Sequence, residues 1–147
     1  MKHLGIDYGS KRIGLALSDD NGRLAFPKET INNSQDIIQD IKDVVEYESV
    51  EKIVVGKSLD PWGSENLIQR EIDTFIKKLK YDISEIDIVY QDERGSSIAA
   101  ASHLYGKDNI ANPKWTTKAN MKKREHNDAN AAAVILQRYL DKQKNQT

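Results

Sequence analysis

The stretch Gly5-Ile6-Asp7-Tyr8-Gly9-Ser10-Lys11-Arg12-Ile13-Gly14-Leu15-Ala16-Leu17-Ser18-Asp19 decides how the chain folds. Lys2 to Asp7 is a short apolar run that reads as a strand ending on a carboxylate. Gly9-Ser10 marks a turn, and Ile13, Leu15 and Leu17 alternate as a second strand. Asn21-Gly22 is a hairpin turn signal. Arg23 to Ile31 reads as a third strand. Pro27 cannot donate to a ladder and places that strand at a sheet edge. Three strands joined by tight turns make an antiparallel meander.

Beyond the meander the period changes. Asn33 or Ser34 can cap a helix whose stripe is Ile37, Ile38, Ile41, Val44 and Val45. Lys52 to Val55 is a buried, β-branched strand. Ser64 caps a second helix carrying Leu67, Ile68, Ile72, Phe75, Ile76 and Leu79. Ile86, Ile88 and Tyr90 alternate as a fifth strand. Another helix is expected from Ser96 to Tyr105, with Gly106 as its stop. Asn109 to Glu125 shows no periodicity. A last helix follows Asp128, with Ala131, Ala132, Ile135, Leu136 and Tyr139 on one face. The expectation is an α/β fold with a five-stranded mixed sheet, order 3-2-1-4-5, flanked by helices.

With 147 residues, the chain fits a single domain spanning 1–147. It contains no Cys, which excludes disulfides, zinc thiolates and a cysteine nucleophile. No apolar run reaches the ~20 residues of a membrane helix, and no signal segment precedes the first strand. A cytoplasmic protein with no membrane association is expected. The formal net charge of −1 hides an uneven distribution. Acids dominate from Asp36 to Glu51. Lys107, Lys114, Lys118, Lys122, Lys123 and Arg124 form a basic segment ahead of the last helix.

Three signals carry chemistry. Asp7 ends the first strand, where a carboxylate is costly to bury without a hydrogen bond or a cation. Gln91-Asp92-Glu93-Arg94 ends the fifth strand. Strand parity puts Glu93 on one face with Gln91, and Asp92 on the other. Asp128 opens the last helix, and Ala129, Ala131, Ala132 and Ala133 let that helix lie close to the sheet. Each acid alone has a plain reading: Asp7 as a turn residue, Asp92 and Glu93 capping the next helix with Arg94 paired to one of them, and Asp128 as an N-cap worth ~1 kcal/mol. Together they occupy three points that converge at one edge of such a sheet. Clustered carboxylates repel unless a cation intervenes. Mg²⁺ or Mn²⁺, hard ions that take oxygen ligands, suit the set.

The D-Y-G-S-K-R-I-G-L-A-L-S-D opening, the I-V-V-G run, D-E-R-x-S-S and D-x-x-A-A-x-x-I-L-Q-x-Y-L follow one another from Gly5 to Leu140. In this order they resemble the motifs of the YqgF (RuvX) family. The chain departs from the family pattern at Gly56 to Gly63 and at Gly95. The resemblance implies a ribonuclease H-like fold and a hydrolase acting on phosphodiester bonds. It further implies a part in processing the 5′ end of pre-16S rRNA, with Asp7, Glu93 and Asp128 as catalytic and metal-binding acids. The rival activity is resolution of Holliday junctions in DNA. A rival of another class is a non-catalytic nucleic-acid-binding module.

Lys11, Arg12, Arg94, Lys114, Trp115, Lys118, Lys122, Lys123 and Arg124 are candidates for contact with structured RNA or branched DNA. Trp115 among lysines suits base stacking, although a Trp covering the core is the commoner arrangement. Asp19 and Asp20 read as hairpin residues, and His3, His103 and His126 as structural or surface residues. Either a monomer or a homodimer is compatible with these features.

Overall fold

A computed structural model describes residues 1–57, 67–92 and 118–146, and in the last helix the side chains from Asp128 onward. Strand β1 (His3–Tyr8) pairs antiparallel with β2 (Arg12–Ser18), Leu4 opposite Leu17 and Asp7 opposite Gly14. On its outer side β2 pairs antiparallel with β3 (Ala25–Asn32). Strand β4 (Lys52–Lys57) lies parallel to β1, and β5 (Asp87–Asp92) parallel to β4. The sheet order is β3-β2-β1-β4-β5, the order expected. Helices α1 (Ile37–Glu48) and α2 (Leu67–Asp82) cover one face, and α3 (Lys118–Asn145) covers the other.

The pleat sorts the side chains, because successive residues of a strand point to opposite faces. Leu4, Ile6, Ile13, Leu15, Ile53 and Val55 pack beneath Ile37, Ile41 and Val45 of α1 and Ile72, Phe75, Ile76 and Leu79 of α2. Ala16 and Val54 meet Ala132, Ile135, Leu136, Tyr139 and Leu140 of α3. The strand residues toward α3 are smaller, so this helix rides closer to the sheet.

Several boundaries differ from the sequence expectation. The third strand starts at Ala25, after a loop organised by Asp19. Its Oδ1 accepts hydrogen bonds from the backbone N–H of Arg23 at 2.6 Å and Leu24 at 3.0 Å. These bonds, with that of Leu24 first, hold the Asp19 carboxyl below its usual pKa. Asp19 is thus a turn residue, as expected. Pro27 does sit in the edge strand, and the β2–β3 register slips between Leu15 and Ala16. Asp36, not Asn33 or Ser34, is the N-cap of α1, while the Ser34 hydroxyl accepts from the Asp36 N–H at 3.3 Å.

The largest correction concerns Asp128, which does not open the last helix. Helix α3 begins at Lys118, so Asp128 lies almost three turns inside it. Lys118 to Arg124, expected within an aperiodic segment, is helical. Apolar periodicity misses this part because Lys118 to Arg124 is mostly polar and carries no apolar stripe at helical spacing. Extending a helix from a packed segment needs no new nucleus, and Ala, Met, Lys, Arg and Glu favour it. The expected helix Ser96–Tyr105 and the Ser64 cap lie outside the described residues.

His3 is structural, as expected. It is 7% exposed, its ring centroid lies 5.9 Å from that of Tyr139, and Nδ1 is 3.1 Å from the Met1 carbonyl oxygen. Burial lowers its pKa, aided by Lys52 and the N-terminal ammonium. The Met1 hydrogen bond and the Glu51 charge oppose the shift. Below the ordinary value of about 6.5 the unfolded chain takes up a proton that the folded chain resists. This contribution to stability is therefore complete above that pH. It is lost as the pH falls from there to the lowered folded value. Urea midpoints at pH 7.5 and 5.5 should fall further apart in the wild type than in His3→Gln. Equal pH dependence in the two proteins would assign the loss to other groups.

Candidate metal centre at the sheet edge

The first two strands place small residues under α3. A Cβ on Gly5 would stand 2.8 Å from Cβ of Leu136 and 2.9 Å from the Ala132 carbonyl oxygen. A Cβ on Gly14 would collide with the carbonyl oxygen of Asp128. No larger residue at position 14 would let α3 cross β2 at this height. Gly5 and His3 face α3, whereas Leu4, Ile6 and Tyr8 belong to the opposite core. By the same alternation Asp7 falls on the α3 face. Its strand partner is Gly14, over which Asp128 sits. The two acids, 121 positions apart in the sequence, thus flank one glycine.

Arg12 completes the group. It precedes Gly14 by two residues and shares its face of β2. Its Nε lies 3.1 Å from Oδ2 of Asp128, an ion pair in which the side chains are 29% and 28% exposed. Oδ2 itself is shielded from water. The pair is part-buried, so its net worth is near the ~1 kcal/mol upper range of exposed pairs. The guanidinium offsets charge that a second carboxylate, Asp7, would otherwise oppose.

Carboxylate oxygens at one sheet edge, one of them shielded and already drawing a cationic group, are hard donors of the kind that hold Mg²⁺ or Mn²⁺. Among the described residues no cluster reaches three such ligands. The third expected acid, Glu93, lies one position beyond them. Tyr90 donates its hydroxyl to Asp73 of α2 at 2.8 Å, which puts Tyr90 on the α1–α2 face. Asp92 has the same parity and is exposed, while Gln91 between them is buried.

Of the other candidates, Lys11 is exposed in the β1–β2 turn. Arg94, Lys114 and Trp115 lie outside the described residues. Lys118, Lys122, Lys123 and Arg124 fall on the first turns of α3, where only the backbone is described.

A separate cleft of 410 Å³ opens on the opposite face, between α1 and α2. Tyr8, Asn33, Arg70, Thr74, Phe75 and Lys78 contribute to its lining. Among the described lining residues the one carboxylate is Glu71, which accepts from the Ser10 hydroxyl at 3.0 Å.

Sequence reasoning credited the alanines of the last helix with its close approach. Gly5 and Gly14, on the strands, also make room for it. The clue was present in Ile13-Gly14-Leu15-Ala16-Leu17, where every second residue is small. The Arg12–Asp128 pair left no sequence signal, since nothing local connects the two positions.

The family model described as RuvX, Holliday junction resolvase, matches residues 1–142. A protein of Sulfurihydrogenibium sp. (strain YO3AOP1), named "Putative pre-16S rRNA nuclease", is 37% identical over 140 residues, covering 95% of this chain and 89% of its own length. One of the same name from Fusobacterium nucleatum is 35% identical over 146 residues, covering 97% and 99%. Among solved structures, T. thermophilus RuvC in complex with a Holliday junction substrate superposes with a TM-score of 0.56 at 12% identity, covering 98% of this chain and 96% of that one. The fowlpox virus Holliday junction resolvase superposes with a TM-score of 0.54 at 15% identity, covering 97% and 99%. At such identities the structural likeness speaks for the fold, which is that of the ribonuclease H-like resolvases. The match over nearly all of its length and the identities to full-length relatives place the chain in the RuvX (YqgF) family.

Proposed function

We propose that this chain is a divalent-metal-dependent nuclease. It hydrolyses phosphodiester bonds of structured RNA in the cytoplasm, and its substrate is the 5′ end of pre-16S rRNA. The observation that supports this reading is that Asp7 stands opposite Gly14 across the β1–β2 ladder while the main chain of Asp128 passes over the same glycine. The names of the relatives at 35–37% identity support RNA as the substrate.

Asp7, Asp128 and Glu93 would hold Mg²⁺ or Mn²⁺, which when bound supplies Lewis acidity and an activated water for attack on phosphorus. The chain's own residues do the rest. The carboxylates of Asp7 and Asp128 keep negative charge at a fixed point of a rigid sheet. Lys11, exposed in the turn between β1 and β2, meets the phosphate backbone. Lys118, Lys122, Lys123 and Arg124 precede Asp128 on α3 and add sequence-independent attraction for the strand. Arg94, Lys114 and Trp115 are further candidates for contact with the nucleic acid.

Cleavage of branched DNA is the second reading. It is supported by the family model's description and by the junction-bound fold neighbour. One assay separates the two. Precursor 16S rRNA, a four-way DNA junction and single strands are incubated with Mg²⁺, with Mn²⁺ and with chelator. Metal-dependent cleavage of the precursor at discrete positions is expected. Symmetric nicking of the junction with the RNA intact would favour the second reading, and no cleavage of any substrate would refute both.

A further inference from the structure

We propose that Arg12 is a charge-exchange residue. In the metal-free protein its guanidinium takes the place of a divalent cation on Asp128 Oδ2, and the arriving metal displaces it. The proposal rests on the reading of Asp7 and Asp128 as metal ligands.

The geometry motivates it. Arg12 Nε stands 3.1 Å from an oxygen that is itself closed to solvent. A carboxylate so placed is stabilised only by a positive or hydrogen-bonding neighbour. Asp7 enters from the other side of Gly14 with charge of the same sign. The backbone of β2 fixes where Arg12 emerges, two residues from Gly14. The side chain is 29% exposed, so the guanidinium has an open side into which it can withdraw. A metal on Oδ2 and the guanidinium compete for the same negative charge. The withdrawn guanidinium is then free for the anionic backbone of a nucleic acid. Arg12 is thus a positioning residue: it acts on the site through Asp128.

Competition gives a signature opposite to that of a merely supportive contact. With the guanidinium removed, the arriving metal no longer has to displace it from Asp128, and the metal gains what the ion pair held. Mn²⁺ affinity, measured without nucleic acid by calorimetry and by electron paramagnetic resonance, should rise about two- to fivefold in Arg12→Gln. That range corresponds to the typical worth of a partly exposed ion pair. Arg12→Lys keeps the charge and should restore an affinity close to that of the wild type. Circular dichroism of each variant checks that the fold persists, and an Arg12→Gln chain that does not fold is replaced in the comparison by Arg12→Met.

Unchanged or weaker Mn²⁺ binding in the folded neutral variant would overturn the exchange. So would a Lys variant that behaves like the neutral one. Asp128→Asn is the control for the underlying reading. If it loses Mn²⁺ binding while Arg12→Gln leaves it unchanged, the metal site stands and only the exchange fails. If the wild type and Asp128→Asn bind Mn²⁺ alike, the assignment of the acids fails and takes the exchange with it.

Discussion

Asp7→Asn should abolish metal-dependent cleavage while leaving the fold intact. The amide keeps the shape of the carboxylate and removes one hard, charged donor. Loss of an outer-shell partner typically costs a metal site 10–100-fold, and loss of a ligand should exceed about a hundredfold. The effect on stability has the other sign or is small. Asp7 stands opposite Gly14, over which the main chain of Asp128 passes, and Arg12 pairs with Asp128. Removing one of the two like charges relieves repulsion in the metal-free state. The unfolding free energy should therefore fall by no more than ~1 kcal/mol and can rise. Cleavage assays and urea unfolding of the same preparation read both quantities. A variant that unfolds broadly would show Asp7 to be a structural residue of β1.

Gly14→Ala should do the reverse, damaging the fold first and the site as a consequence. One methyl group is added, yet it collides with a main-chain oxygen, that of Asp128, in the middle of a helix. A flexible side chain could rotate away, whereas a helical carbonyl cannot move without its helix. Helix α3 must rise off β2, loosening Ala132, Ile135 and Leu136 from the sheet. Overpacking of a tight core costs ~1–3 kcal/mol, and a backbone obstacle belongs at the upper end. A loss of about 3 kcal/mol in urea unfolding, with weakened Mn²⁺ binding in the fraction that stays folded, is the expected result. An alanine variant as stable as the wild type would mean that α3 does not bear on β2 at this point. The two substitutions are complementary, since one is expected to remove a proposed metal ligand while sparing the fold and the other to loosen the packing that positions Asp128.

Much of the architecture was legible in the sequence because it is encoded by local periodicity. Period-2 alternation at Ile13, Leu15 and Leu17 and the stripe Ile37-Ile41-Val45 set the element types, and Pro27 marked the edge strand. The hairpin-linked opening followed by strand–helix alternation implied the order 3-2-1-4-5, which the sheet adopts. Asp7 was legible as a candidate for a related reason: a carboxylate closing an apolar strand is locally anomalous and asks for a partner.

What periodicity could not carry was decided by the tertiary structure. Asp128 read as a helix cap because the polar stretch before it shows no apolar stripe, but a helix once nucleated extends through such a stretch, and this one begins at Lys118. The crossing point of α3 over β2 depends on the absence of a side chain at Gly14, and an absence has no period. The pairing of Arg12 with Asp128 joins residues 116 positions apart, and only the assembled sheet brings them within 3.1 Å. The sequence by itself determined which elements form, their order and which acid was out of place. The packed helix alone decided which charges meet, because contact between distant residues is a property of three-dimensional packing and not of local pattern.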